Sequence, residues 1–519
     1  MGLLRLTVGD WARLPDERLA RVFIAGPDEL PYPGRAFRSG DQLVIERRDD
    51  TSGCVWAPWP AGPKTLSPAA APNLGGPDEV TPPGAEAAGA TRGEWLSGTA
   101  TLMEREEPYL LEVELARGAV YRLRNQLATW RQLGLESTAT LDGQVAEATR
   151  LFSRAATRQA EPDACLPLAE QALAAAADAS LLLVSLYAKQ AMAVRQAATP
   201  QLPTLLGFTA RGPLGPAGEG PLPGAFNAVA LPCAWSEIEA SEGKRRWARA
   251  DEQFAWAQQA GLRVCAGPLI EFHDRAIPDW AYLWEGDFDS LLSIVTSHVE
   301  AVVNRYRGRV QLWNVGGRIN RRRVLGLSDE QRLQLVAGAV RAVREADPKA
   351  PVVLSIDQPW GEYLLEEPSD LAPIDFADAL ERADLGIAGF GLELNVGYTP
   401  DGSSARNPLD FSRLLDHWSM RLELPLLLSI TTPSASGPDA LASPKLSVPG
   451  GGVDPRAQAD WATRCLPMLL AKNCVQVVVW NAHRDDHAHY YPHSGLLDAG
   501  GDPKPVLEEL RRVREAHLV

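Results

Sequence analysis

The sequence is poor in the features that staple or anchor a fold from outside. It has six cysteines in 519 residues (Cys54, Cys165, Cys233, Cys265, Cys465 and Cys474) and no C-x-x-C pair. That excludes a zinc ribbon and a disulfide framework, and predicts free thiols in a cytoplasmic protein. No run of 18 or more apolar residues occurs, so no membrane-spanning helix and no membrane partner are expected. The start, MGLLRLTVGDWARL, lacks the long apolar stretch and small-residue cleavage site of a secretory signal. Basic residues are in deficit, 51 Lys and Arg against 66 Asp and Glu, for a formal charge of −15. An acidic surface repels phosphate backbones, which excludes sequence-independent nucleic-acid binding but does not oppose neutral sugars. The G-x-G-x-x-G phosphate turn is missing as well; the nearest stretch, GFTARGPLGPAGEG, has the wrong spacing, and no cofactor is implied.

What is present is ordinary globular material, 45% apolar and 23% charged, in a chain long enough for two to four domains of about 100–200 residues. Three textures divide it. Residues 1–106 carry short β-branched runs (LRLTV, ARVFIAG, DQLVIER) bounded by Gly, Pro and Asp, which predicts a small β-sandwich. Within it, residues 61–93 hold Pro63, Pro68, Pro72, Pro77, Pro82 and Pro83 amid Ala and Gly, a composition expected to form a flexible surface loop. Trp56 and Trp59, in CVWAPWP, offer either a glycan platform or sandwich core. Residues 107–200 read as a helical connector. Val113, Ala116, Val120, Leu123, Leu127 and Trp130 recur at three- and four-residue spacing on one helix face, Gly134 stops that helix, and two Ala- and Leu-rich helices follow at about 141–158 and 163–197.

From 203 to 519 strand and helix alternate. Near-continuous apolar runs at 204–210, 225–231, 262–272, 310–315, 351–356, 385–394, 424–430 and 475–480 suit parallel strands buried on both faces. Eight such strands with helical crossovers predict a (β/α)8 TIM barrel, so the chain as a whole is of the α/β class with a β-rich preface.

The third region resembles the glycoside hydrolase family 10 barrel, the family of endo-β-1,4-xylanases. Trp235, Glu239 and Gly243 keep a W-x-x-x-E-x-x-x-G pattern, and CAGPLIEFHDRAIPDW, VVLSIDQPWGEYL, LGIAGFGLELN and VVVWNAHRDD are similar to the family's third, fifth, sixth and eighth strands. The resemblance implies a β-glycan substrate and a pair of glutamates. At the two places where the family carries them the residues differ. The fourth strand reads Trp313, Asn314, Val315, Gly316, Gly317, Arg318, with a guanidinium where the acid is expected, and the seventh ends Ser429, Ile430, Thr431, Thr432, Pro433 without a carboxylate. Arginine does not release its proton near neutral pH. The family's mechanism therefore does not carry over, and two readings follow: a divergent hydrolase with relocated strand-end carboxylates, or an inactive barrel that binds carbohydrate or serves as a scaffold.

In TIM barrels function lies at the C-terminal ends of the strands. Glu271 closes the third strand and Glu393 the sixth, at a position where the family has a Gln. Strands three and six are as far apart around the ring as four and seven, so Glu271 and Glu393 face each other across the barrel mouth as a displaced catalytic pair in this reading; in the other, one or both are solvated loop carboxylates or ion-pair partners of Arg275 or Arg318. Around them, Trp235, His273, Asp357, Trp360, Asn395, Trp480, Asp485 and His487 are expected to bind an oligo- or polysaccharide through stacking and hydrogen bonds. His483, His487, His489 and His493 sit close together, but their spacing matches no usual structural zinc pattern, and no metal is assigned.

Overall fold

The structure is a computed structural model. It describes residues 2–48, 50–60, 93–212, 214, 222–322, 324–369, 371–449 and 452–519; the expected loop at 61–93 falls, but for Gly93, outside the described residues.

The first texture folds into two small sheets. One has the strand order Gly34–Ser39, Gln42–Arg47, Gly2–Thr7, Tyr109–Leu110; the other Phe23–Ala25, Gly53–Pro60, Glu94–Leu102. Alternating side chains from both sheets, among them Leu4, Leu6, Leu43 and Ile45 facing Ile24, Val55 and Trp59, make a common core. Trp59 is thus core. Trp56 is equally buried but lies on the other face of its sheet, beneath the guanidinium groups of Arg122 and Arg406.

Three helices follow, Leu111–Gln132, Ala139–Ala156 and Pro162–Ala198. The six residues of the predicted face, Val113 to Trp130, are all buried, and the first helix ends before Gly134, whose φ of 100° is open to glycine at little cost. The third helix is long and apolar enough by composition to cross a membrane (mean hydropathy 1.4), a property also found in core helices, and half of that window is buried. Ala176, Ala179, Leu183, Val184 and Met192 join the barrel core, so the connector docks the sandwich onto the barrel.

Eight parallel strands form the barrel: Leu205–Thr209, Ala228–Leu231, Arg263–Ala266, Leu312–Gly317, Val352–Asp357, Gly389–Asn395, Leu426–Thr431 and Val475–Trp480. They are hydrogen-bonded in ring order, the eighth to the first through Val477 and Leu205 and the third to the fourth through Cys265 and Leu312. Seven full helices cover the outside, from Ala248–Gln259 to Pro505–His517, while the first crossover has only the single turn Leu222–Ala225 among its described residues. Several helices start on a side-chain cap, at Asp287, Ser328, Asn407 and Asp454. Such caps satisfy orphan N–H groups of the first turn and fix where each loop ends.

One strand departs from its expected extent. The run 262–272 is split into Arg263–Ala266 and a short Ile270–Glu271 that pairs with Gly316 and Gly317. Gly267 causes the break. Its φ is 115°, and a Cβ there would lie 2.0 Å from the carbonyl oxygen of Asn314, so only glycine fits. The jog carries Glu271 over the barrel mouth.

Candidate active site

A cleft of 430 Å³ opens at the C-terminal ends of the strands. Its floor is made by the inward residues of the strands, Asn314, Ser355, Leu427, Ser429 and Val479, and its wall by the loops after strands one, two, three, four and eight. Inward and outward positions alternate along a strand, so Glu393 faces the cleft while Leu392 and Leu394 pack against the helices.

Glu271 and Glu393 both line the cleft, and Arg318 stands between them. Its Nε is 3.6 Å from Glu271 Oε1 and 3.4 Å from Glu393 Oε2. Those two oxygens are therefore no further apart than the sum of these two distances, so the carboxylates share one site. Of the two expected ion-pair partners, Arg318 engages both glutamates and Arg275 neither. Arg318 follows Gly316 and Gly317 in a left-handed conformation (φ 52°), and its Nη2 donates to Tyr491 Oη at 2.5 Å. Tyr491 passes the contact on to the carbonyl of Asp401 at 3.0 Å, and the Tyr490 ring lies 5.0 Å from the guanidinium. Burial opposes the charge on Arg318, but Tyr491, Asp357, Glu393 and Glu271 hold it protonated.

The two carboxylates are driven apart in acidity. Burial, reinforced by Asp357 and Glu271 and opposed by Arg318, raises Glu393 to about 7. Glu271 is also raised by burial, but Arg211, Arg318 and His273 outweigh that and hold it below its usual range. At neutral pH one is ionised and the other is poised to carry a proton. His273, pushed down to about 4 by burial and by Arg318, is a neutral ring set edge-on to Tyr490. His483 is pushed down to about 3 by burial and Arg484; its Nδ1 accepts from the Arg211 backbone N–H.

Of the ten expected site residues, Glu271, Glu393, His273 and His487 line the cleft. The other six do not. Trp480 follows the cleft-facing Val479 and so points outward, its Nε1 donating to Ser494 O at 2.9 Å. Trp235 is buried between Trp280 and His298 and donates to Glu239 at 3.1 Å. Trp360 lies under the Arg406 guanidinium at the seam with the sandwich. Asp357 is fully buried on Arg321 at 2.6 Å, and Asp485 is paired with Lys504 at 2.5 Å. Asn395 is covered too, but its Oδ1 accepts at 3.0 Å from Asn481, which does line the cleft.

The histidine-rich loop is tied up by protein partners. His489 contacts Asp439 Oδ2 at 3.0 Å and the His487 carbonyl at 2.7 Å, and the His493 N–H donates to the same Asp439. Among the described residues no three His, Cys, Asp or Glu side chains converge as a ligand set. Sequence reasoning missed Arg211, Arg249, Arg484, Asn481, Tyr490 and Tyr491. Arg211, two residues past the first strand, and the Tyr490–Tyr491 doublet sit where a strand-end search extended a few residues into each loop finds them.

The chain matches the model of glycosyl hydrolase family 10 over residues 227–354. Endo-1,4-beta-xylanase 3 of Hypocrea jecorina is 26% identical over 280 residues, which is 53% of this chain and 71% of that protein. Endo-1,4-beta-xylanase of Agaricus bisporus is 23% identical over 256 residues, 48% of this chain and 68% of that protein. Among solved structures, native xylanase 10B from Thermotoga maritima aligns with a TM-score of 0.48 and 18% identity, covering 62% of this chain and 97% of that one. Xylanase 10B from Thermotoga petrophila in complex with xylobiose aligns with a TM-score of 0.46 and 18% identity, covering 60% and 94%. The family match falls on residues that build the second to fifth strands of the barrel, and the C-terminal region is similar to the glycosyl hydrolase family 10 xylanases.

Proposed function

We propose that the barrel mouth hydrolyses a β-linked glycan, with Glu393 as proton donor and Glu271 as its ionised partner. The observation that carries this reading is the split acidity of two carboxylates in one cleft, one held charged and one raised to about 7. In the reaction Glu393 gives its proton to the glycosidic oxygen as the bond to the anomeric carbon breaks. Glu271 faces the positive charge that develops on that carbon and takes a proton from the attacking water, whose oxygen ends on the sugar. Arg318 is the positioning residue: it keeps Glu271 ionised and holds both carboxylates at one distance. The β-glycan substrate is supported by the curated relatives, which are endo-1,4-beta-xylanases by name.

One observation favours a second reading, saccharide binding without turnover. Arg318 pairs with both glutamates, and the seventh strand offers the cleft Ser429 rather than a carboxylate. Incubation of the protein with xylans, glucans and mannans, with reducing ends measured, separates the two. Turnover that disappears in Glu271→Gln and Glu393→Gln supports hydrolysis. Saturable binding with no new reducing ends selects the second reading.

A further inference from the structure

The charge of the cleft runs against that of the chain. The protein carries 15 more acidic than basic residues, yet among the described residues five arginines line the cleft, Arg211, Arg249, Arg275, Arg318 and Arg484, against three carboxylates, Glu237, Glu271 and Glu393. Four of the arginines come from one sector of the rim, three from the loops after strands eight, one and three and Arg249 from the first turn of the helix after strand two, and these strands are neighbours in the ring. Two of those four are already neutralised: Arg484 pairs with Asp486, and Arg249 with Glu237 at 3.2 Å. Among the described residues the other two are not so closely paired: Arg211 reaches no carboxylate closer than Glu271, at 4.0 Å, and is 40% exposed. Arg275 is exposed, and its sequence neighbour Asp274 is held by Lys445 at 3.0 Å, so it has no carboxylate in ion-pair range among the described residues. Beyond His273 and Tyr490 the rim continues into a recess of 40 Å³ lined by Arg275, Arg318, Arg321 and Lys445 against Asp274 and Asp401.

An acidic protein that concentrates under-neutralised guanidinium groups at one edge of a cleft focuses a positive potential there. A planar guanidinium accepts a carboxylate through two parallel hydrogen bonds, which an ammonium does not. Resting on the reading of the mouth as a β-glycan site, we infer that the preferred glycan is acidic: it carries a hexuronic acid whose carboxylate lies on Arg211 and Arg275, beside the carboxylate pair. Arg275 sets this specificity. Arg211 shares it and, through its field, also keeps Glu271 ionised.

The test is calorimetric binding to the full chain. The probes are xylo- and gluco-oligosaccharides that bear one uronic acid and the same compounds after carboxyl reduction, at about 20 and about 300 mM salt. The expected result is an affinity about tenfold or more higher for the acidic member at low salt, shrinking as salt rises. Arg275→Gln brings the ratio of the two affinities toward one, and Arg275→Lys leaves it in between; melting curves matched to the parent show that both variants are folded. Equal affinity for the two members in the parent protein, or a ratio unmoved by Arg275→Gln, overturns the inference while leaving the β-glycan reading in place. Binding of neither member at either salt overturns both. A sulfated counterpart that binds as tightly as the uronate overturns the carboxylate assignment.

Discussion

Arginine is used in two ways in this molecule, at the seam between sandwich and barrel and at the barrel mouth. At the seam three arginines each have a carboxylate at close range: Arg122 with Asp410 at 3.2 Å, Arg406 with Glu362 at 2.7 Å and Arg413 with Glu29 at 2.5 Å. Arg406 is also sandwiched between Trp56 and Trp360, at 4.7 and 4.8 Å. At the mouth Arg318 is shared between two glutamates at longer range, and among the described residues Arg211 and Arg275 are left short of partners. The difference teaches how to sort charge by purpose. A saturated, stacked guanidinium holds two domains together, while an unsaturated one in a cleft keeps its donors for something that arrives from solution.

Four measurements sharpen or break that contrast. The largest effect is expected at the carboxylate pair: Glu393→Gln removes the proton donor and lowers turnover about 10²–10⁴-fold, read from reducing ends released per minute. An unchanged rate would strip Glu393 of its role and leave Arg318 as a plain structural cation. Next comes the seam. Arg406→Ala breaks a buried pair and a ring stack together and costs about 3 kcal/mol of stability in denaturant unfolding, with saccharide binding in the folded protein unchanged. A loss of binding without a loss of stability would erase the distinction between the two sites.

Acidity supplies the third. The proposed mechanism needs Glu271 ionised and Glu393 protonated, so the rate should fall as pH rises through about 7, by about tenfold per unit well above it. Stability follows the same group. Because its pKa in the fold lies above that of the unfolded chain, the stabilisation is complete below the ordinary carboxylate value and is lost as pH rises through about 7. Melting curves of Glu393→Gln should be flatter over that interval; an identical slope would locate the pH dependence elsewhere. The smallest effect is expected from Arg275→Gln on stability, within about 0.5 kcal/mol by thermal melting, because an exposed side chain with no ion-pair partner among the described residues holds nothing in place. A larger loss would move Arg275 into the structural class with Arg406.

The barrel was legible because eight buried parallel strands leave apolar runs that little else produces, and the structure moves their ends by only a few residues. The third strand was drawn too long because composition does not reveal that Gly267 approaches Asn314. Glu271 and Glu393 were readable as strand-end carboxylates, and the ring geometry alone set them facing each other across the mouth, where Arg318 lies between them. The tryptophans were misread for the opposite reason. Proximity to a strand end says nothing about parity, and Trp480 is one residue out of phase with Val479, which faces the cleft. Trp360 and Asp357 were drawn away by partners distant in sequence, Arg406 and Arg321, which no local pattern discloses. Arg318 was visible in the sequence as a guanidinium at the end of the fourth strand, but its tie to Tyr491, 173 residues downstream, exists only in three dimensions.

That tie has an evolutionary consequence. The cation that tunes both glutamates is fastened not to its own neighbours but to a tyrosine on the last crossover loop. Drift in that loop alone can shift the guanidinium and re-poise the acid, while all eight staves of the barrel stay as they are.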